Sequence, residues 1–117
     1  MKRHTVTFEA FDVVVVPFPF TDRTTTKRRP ALVLSDAGNF NKRVGQSVLA
    51  MITSVGNSGW SLDVNIQDLD TAGLPSLSVV RMKLFTLDDK LVIRKIGALA
   101  IQDRSAVSAA LRRLLNM

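Results

Sequence analysis

Apolar residues in this chain fall in short runs spaced for strands, with one final stretch spaced for a helix. Residues 11–18 (FDVVVVPF) are dense in β-branched side chains and predict a buried strand. Pro17 and Pro19 confine its far end to an edge or an exit. Residues 29–34 (RPALVL) predict a second strand, with Pro30 at its start, where a missing N–H is tolerated. Residues 46–54 (QSVLAMITS) predict a third. Alternation puts Val48, Ala50 and Ile52 on one of its faces and Leu49, Met51 and Thr53 on the other. Residues 61–67 (SLDVNIQ) alternate cleanly and predict a half-exposed strand with Leu62, Val64 and Ile66 inward. Residues 76–86 (SLSVVRMKLFT) and 90–98 (KLVIRKIGA) complete the set, and 68–73 allow one helical turn. The polar, Gly- and Asn-bearing stretches between them, residues 35–45 above all, read as loops. In residues 103–115, Val107, Ala110, Leu111, Leu114 and Leu115 recur at helical spacing, with Asp103 or Ser105 as cap. Residues 1–9 are expected to form a flexible extension. Six short strands and a terminal helix predict a mainly β fold, a small, strongly curved barrel with the helix packed on it.

Length and composition narrow the chemistry. The 117 residues fit one domain, 1–117, and 46% hydrophobic content supports a folded core. Lys+Arg 16 against Asp+Glu 10 gives a net charge of +6, which points to a polyanion partner, nucleic acid first, or to a soluble protein that is merely basic. The absence of cysteine excludes disulfides, thiolate zinc sites and a cysteine nucleophile. A single histidine, His4 in the N-terminal extension, excludes a His-rich metal site and a two-histidine mechanism within one chain. No stretch approaches the roughly 18 apolar residues of a membrane span, and the start has no apolar signal core. A cytoplasmic protein is the simplest expectation.

A few residues remain as candidates for chemistry. Lys27, Arg28 and Arg29 form the densest cationic run. Pro30 biases Arg29 toward extended backbone, so Lys27 and Arg29 share a face. The run reads either as an anion clamp at the mouth of a strand or as a solvated surface. Thr53 and Ser54 end the third strand near a chain reversal, as hydroxyl chemistry or as strand formers. Phe18 is expected in the core, whereas Phe20 stands between core and base-stacking roles. Arg81 and Lys83 extend a basic face, and Arg81 suits a carboxylate partner equally well. Trp60, after Gly59 in a turn, fits a hinge anchor, a partner contact or a base stacker.

The segments FDVVVVPFPFTD, KRRPALVLSD, VLAMITS, AGLP, SVVR, LFTLDDKLVIRKIG and DRSAVSAALRRLL occur in that order. Together they resemble the PemK-like branch of the MazF family of toxins from bacterial toxin–antitoxin pairs. The resemblance implies an SH3-like barrel, a homodimer and an acidic antitoxin. It also implies cleavage of single-stranded RNA at short sequences without metal or cofactor, leaving 2′,3′-cyclic phosphate and 5′-OH ends. It maps a catalytic arginine onto Arg29 and its hydroxyl partner onto Thr53, with Ser54 beside it. Taken with the reading of the residues above, Lys27, Arg28, Phe20, Ser54, Arg81 and Lys83 are the expected RNA-binding residues. Some members carry an R-x-D element; here the sequence is RMKL, with Arg81 matching and Lys83 where the carboxylate stands. A histidine that some members hold in the first loop is also missing. Loops 21–28, 36–43 and 55–60 are expected to set the cleavage sequence. Two other readings are a poison of DNA gyrase like CcdB, which shares the fold, and an inactive RNA-binding homologue. The R-P strand and the T-S strand end favour the nuclease.

Overall fold

The β-branched runs all join one antiparallel sheet. A computed structural model of the chain describes residues 6–18, 27–56 and 58–117. Its strands are β1 (Asp12–Phe18), β2 (Lys27–Val33), β3 (Gln46–Ser54), β4 (Val64–Asn65), β5 (Ser78–Asp88) and β6 (Arg94–Ala98). They lie side by side in the order β4-β5-β3-β2-β1-β6. Helices α1 (Lys42–Val44), α2 (Leu69–Ala72) and α3 (Ile101–Leu115) accompany the sheet, with two further short helical turns. None of these helices is long and apolar enough to cross a membrane.

The two-residue period of the strands makes two cores, one on each side of the sheet. Val13, Leu32, Ala50, Ile52, Val80 and Met82 face Val107 and Ala110 of α3 and form the larger core. Their neighbours Val14, Val16, Ala31, Val33, Leu49 and Leu87 point the other way and pack with Phe8. The strand faces read from alternation in β3 are therefore the observed ones.

Two glycines let the sheet curl shut. The turn after β4 lies backbone against backbone on β6, the opposite edge strand. A Cβ on Gly97 would stand 2.5 Å from the Ala72 carbonyl carbon. One on Gly73, whose φ is +75°, would stand 2.1 Å from the Ile96 carbonyl oxygen. Only glycine permits this approach, and closure covers edges that would otherwise be open to pairing.

Asp103 reinforces the same corner from α3. Its buried carboxylate accepts hydrogen bonds from the backbone N–H of Gln67 (2.9 Å) and of Asp68 (3.0 Å). This corrects the expected cap. The helix begins at Ile101 after Ala100, whose methyl side chain cannot cap it, and Asp103, inside the first turn, is engaged with Gln67 and Asp68 instead.

Other expectations change for similar reasons. Residues 35–45 are not a plain loop: Ala37–Asn41 form a π-helical turn that runs into α1. Asp36 caps the turn by accepting from the Asn39 N–H (2.8 Å). Buried Asn41 donates to the Phe8 carbonyl (2.8 Å) and the Ser35 carbonyl (3.0 Å). Hydrogen bonds organise this segment, and apolar periodicity does not reveal them. Of the expected flexible residues 1–9, the last four are described, and Phe8 among them is buried in the second core. Residues 1–5, with His4, lie outside the described residues. The strand expected at 61–67 shrinks to Val64–Asn65, because Asp63 turns its carboxylate to the Trp60 N–H (2.9 Å) and closes a turn. The strand expected at 90–98 divides into a short 3-10 turn, Asp89–Leu91, and β6.

Asp103→Ala removes the acceptor of two backbone N–H groups at once. It is expected to lower the unfolding free energy by about 3 kcal/mol, measured by urea denaturation. Gly97→Ala forces β6 and α2 apart and is expected to cost at least about 2 kcal/mol in the same assay.

Candidate active site

One face of the sheet changes character along its length. On the side of the second core, β1 reads Val14, Val16, Phe18, and β3 reads Leu49, Met51, Thr53. β2 reads Val33, Ala31, Arg29 in the same direction. Apolar side chains thus give way to an aromatic ring, a hydroxyl and a guanidinium at one end. There Phe18, Arg29, Met51, Ile52, Thr53, Arg81 and Lys83 line a cleft of about 240 Å³.

Two backbone irregularities open the cleft. β2 pairs with β3 only through Ala31, Leu32 and Val33, opposite Met51, Ala50 and Leu49. Pro30, which has no N–H to donate, stands where that pairing ends. Two residues beyond the Ala31–Met51 pair stand Arg29 on one strand and Thr53 on the other. On the far side of β3, the register with β5 jumps between Ala50↔Leu84 and Met51↔Arg81. This bulge sets Arg81 beside Met51 and places Lys83 within the irregular stretch.

The second guanidinium is held firmly. Arg81 Nε donates to Asp63 Oδ1 (3.1 Å) and Nη2 to Asp63 Oδ2 (2.9 Å). Nη2 also donates to the Ser58 carbonyl (2.7 Å). The Arg81 side chain is only 12% exposed. The Arg81 guanidinium holds the Asp63 carboxyl below the usual carboxylate range, with help from the Trp60 N–H and against the effect of burial. Asp63 in turn raises Arg81 above its ordinary value, chiefly through their hydrogen bond. Two aromatic rings carry two of the cleft's three cations: Arg81 lies 5.1 Å over the Trp60 ring, and Lys83 Nζ lies 5.1 Å over the Phe18 ring.

The family model of PemK-like, MazF-like toxins of type II toxin–antitoxin systems matches residues 9–115. This chain belongs to that toxin family. The same fold recurs in MazE-MazF (Form-III) from Deinococcus radiodurans, 25% identical with a TM-score of 0.77, over 96% of this chain and 99% of that one. The Mycobacterium tuberculosis toxin MazF-mt6 is 20% identical with a TM-score of 0.72, over 91% and 97%. An endoribonuclease from Mycobacterial species, in complex with its cognate antitoxin, is 14% identical with a TM-score of 0.73, over 95% and 95%. No curated protein matches the chain.

In this toxin the cleft gathers four of the residues expected from sequence: Arg29, Thr53, Arg81 and Lys83. Lys27 and Arg28 stand at the exposed start of β2, opposite Phe18 and Pro17, with Lys27 on the same face as Arg29. Ser54 follows Thr53 on the exposed strand end and is not among the cleft's lining residues. Phe20 and most of the loop 21–28 lie outside the described residues. The loop 36–43 belongs to the other end of β3 from Thr53 and packs toward Phe8, away from the cleft.

Phe18 departs from the expected core role: it is half-buried and lines the cleft under Lys83. Asp63 was not singled out by its local sequence. The carboxylate that RMKL lacks beside Arg81 comes to that arginine from 18 positions earlier. The cue in the sequence is an acid on the outward face of the 61–67 pattern, three residues after Trp60.

Because its folded pKa is depressed, Asp63 contributes stability that is whole above its unfolded value. That contribution is lost as pH falls through the lower folded value. The stability difference between the parent and Asp63→Asn is therefore expected to be full near neutrality. It should fade below roughly pH 4, as measured by urea midpoints across acid pH.

Proposed function

We propose that this toxin cleaves single-stranded RNA in the Arg29–Thr53–Arg81 cleft, as one half of a toxin–antitoxin pair. The observation that carries the reading is the convergence of Arg29 and Thr53, from two strands, with a rigidly held second guanidinium in one open cleft. RNA brings its own nucleophile, the 2′-hydroxyl beside the scissile phosphate. The protein must align that oxygen and offset charge as it builds. The 2′-oxygen gives up its proton to solvent and bonds to phosphorus as the bond from phosphorus to the 5′-oxygen breaks. The 5′-oxygen takes up a proton in turn, giving 2′,3′-cyclic phosphate and 5′-OH ends.

Arg29 grips the non-bridging oxygens, where a planar guanidinium can make paired, charge-assisted hydrogen bonds. Thr53, beyond it on the neighbouring strand, hydrogen-bonds the phosphate or aligns the 2′-hydroxyl. Arg81 supplies a second cation at a fixed position, and exposed Lys83 a third over the Phe18 ring. Lys27 and Arg28 draw the RNA backbone to the strand mouth. None of these steps calls for a metal ion or a cofactor.

The expected partners follow from charge and family. An acidic antitoxin would be attracted to a surface of net charge +6 and would mask the cationic cleft. A homodimer would place two such clefts on one assembly. An RNA substrate puts the site of action in the cytoplasm.

Purified protein incubated with a long RNA and EDTA is expected to cut it at a short recurring sequence, with 5′-OH ends on mapping. Arg29→Ala should lower cleavage at least about a hundredfold with an unchanged circular dichroism spectrum. Cleavage abolished by EDTA, or undiminished in Arg29→Ala, would overturn the mechanism. Intact RNA that is nonetheless bound would identify an inactive RNA-binding homologue. Intact RNA with inhibited supercoiling would identify a gyrase poison.

A further inference from the structure

Trp60 is a large apolar side chain that the fold leaves 48% exposed. It is nevertheless fixed in place. Its backbone N–H donates to Asp63 Oδ2 (2.9 Å), and its carbonyl accepts from the Asp63 N–H (3.3 Å). The same Asp63 carboxylate receives Nε and Nη2 of Arg81, whose guanidinium lies over the indole. One carboxylate therefore sets the ring and the cation together. Arg81 also lines the cleft that holds Arg29 and Thr53, so the indole stands one guanidinium away from the proposed scissile phosphate.

A hinge anchor would bury its ring beneath the loop, and this ring is not buried. A pure structural cation–π pair does not need the exposed indole surface. A rigid, half-exposed indole, backed by a cation on one face and adjoining the cationic cleft, suits a flat neutral ring on its open surface. Unpaired bases of single-stranded RNA are such rings, and stacking on aromatic side chains is a common way to hold them.

We propose that Trp60 stacks the base of a nucleotide flanking the scissile linkage and thereby sets preference at that position, with Asp63 and Arg81 as its positioning residues. Purines should be preferred there, because they offer more stacking surface than pyrimidines. The proposal rests on the ribonuclease reading, and its test separates the two.

Trp60 is the single tryptophan of the chain, so indole fluorescence reports on this residue alone. The probe is a short RNA containing a cleavage site mapped in long RNA, with 2′-deoxyribose at the scissile nucleotide and a dye for anisotropy. Binding is expected to quench the fluorescence, and an abasic nucleotide at the stacked position should remove most of the quenching. With all-ribose substrate, Trp60→Ala should lower kcat/KM at least about tenfold and flatten base preference at one flanking position. Trp60→Phe should restore most of both, and the abasic substrate should be cut equally by parent and Trp60→Ala. Binding seen by anisotropy with unchanged fluorescence would overturn the stacking role, as would an unaltered base preference in Trp60→Ala. If the long RNA is neither cut nor bound, the ribonuclease reading fails, and the stacking role with it.

Discussion

The backbone contact between the α2 turn and β6 is the constraint on which the rest of the fold rests. A six-stranded antiparallel sheet has two edges, and here the chain after one edge is pressed onto the other. Glycine at 73 and 97 removes the two Cβ atoms that would hold them apart. Curling of this kind encloses one face of the sheet, where α3 completes the packing. It also turns the other face outward, and that is the face on which the cleft is built. Asp103 secures the corner with two charge-assisted hydrogen bonds, so the last helix and the closure stabilise each other.

On the outward face, a single alternation serves two purposes. The same set of strand positions supplies a small apolar core at one end and the cationic cleft at the other. The apolar end holds the strands in register, and that register delivers Arg29, Thr53 and Arg81 to one place. Long cationic side chains usually lose much of their positional precision to rotamer freedom. Arg81 avoids this through the paired hydrogen bonds of Asp63, a carboxylate that fixes an arginine and a tryptophan together. The cleft thus combines one rigid guanidinium with exposed cations at Arg29 and Lys83.

Much of this was legible in the sequence where the signal was apolar and periodic. β3 has the bounds read from residues 46–54, β1 differs by one residue, and the faces of β3 follow from simple alternation. Segments organised by polar groups were not legible. The π-helical turn at Ala37–Asn41 depends on buried Asn41, and the strand read at 61–67 is cut to Val64–Asn65 by the turn that the Asp63 carboxylate closes. Arg29 and Thr53 could be named from motif resemblance, but their common cleft depends on a bulge and on a pairing that stops at Pro30. Asp63 and Phe18 were missed for the same reason: each acts through a partner distant in sequence.

Burial on both sides of β2 has a further consequence, concerning slippage. Ala31 and Val33 belong to one core and Leu32 to the other. A shift of β2 by a single residue would exchange these assignments and carry Arg29 from the open cleft toward the enclosed apolar interior. Such a slip would place an unpaired cation among aliphatic side chains, a heavy electrostatic penalty. The arginine is therefore more than a passenger at the strand end: its charge helps lock the alignment that presents it.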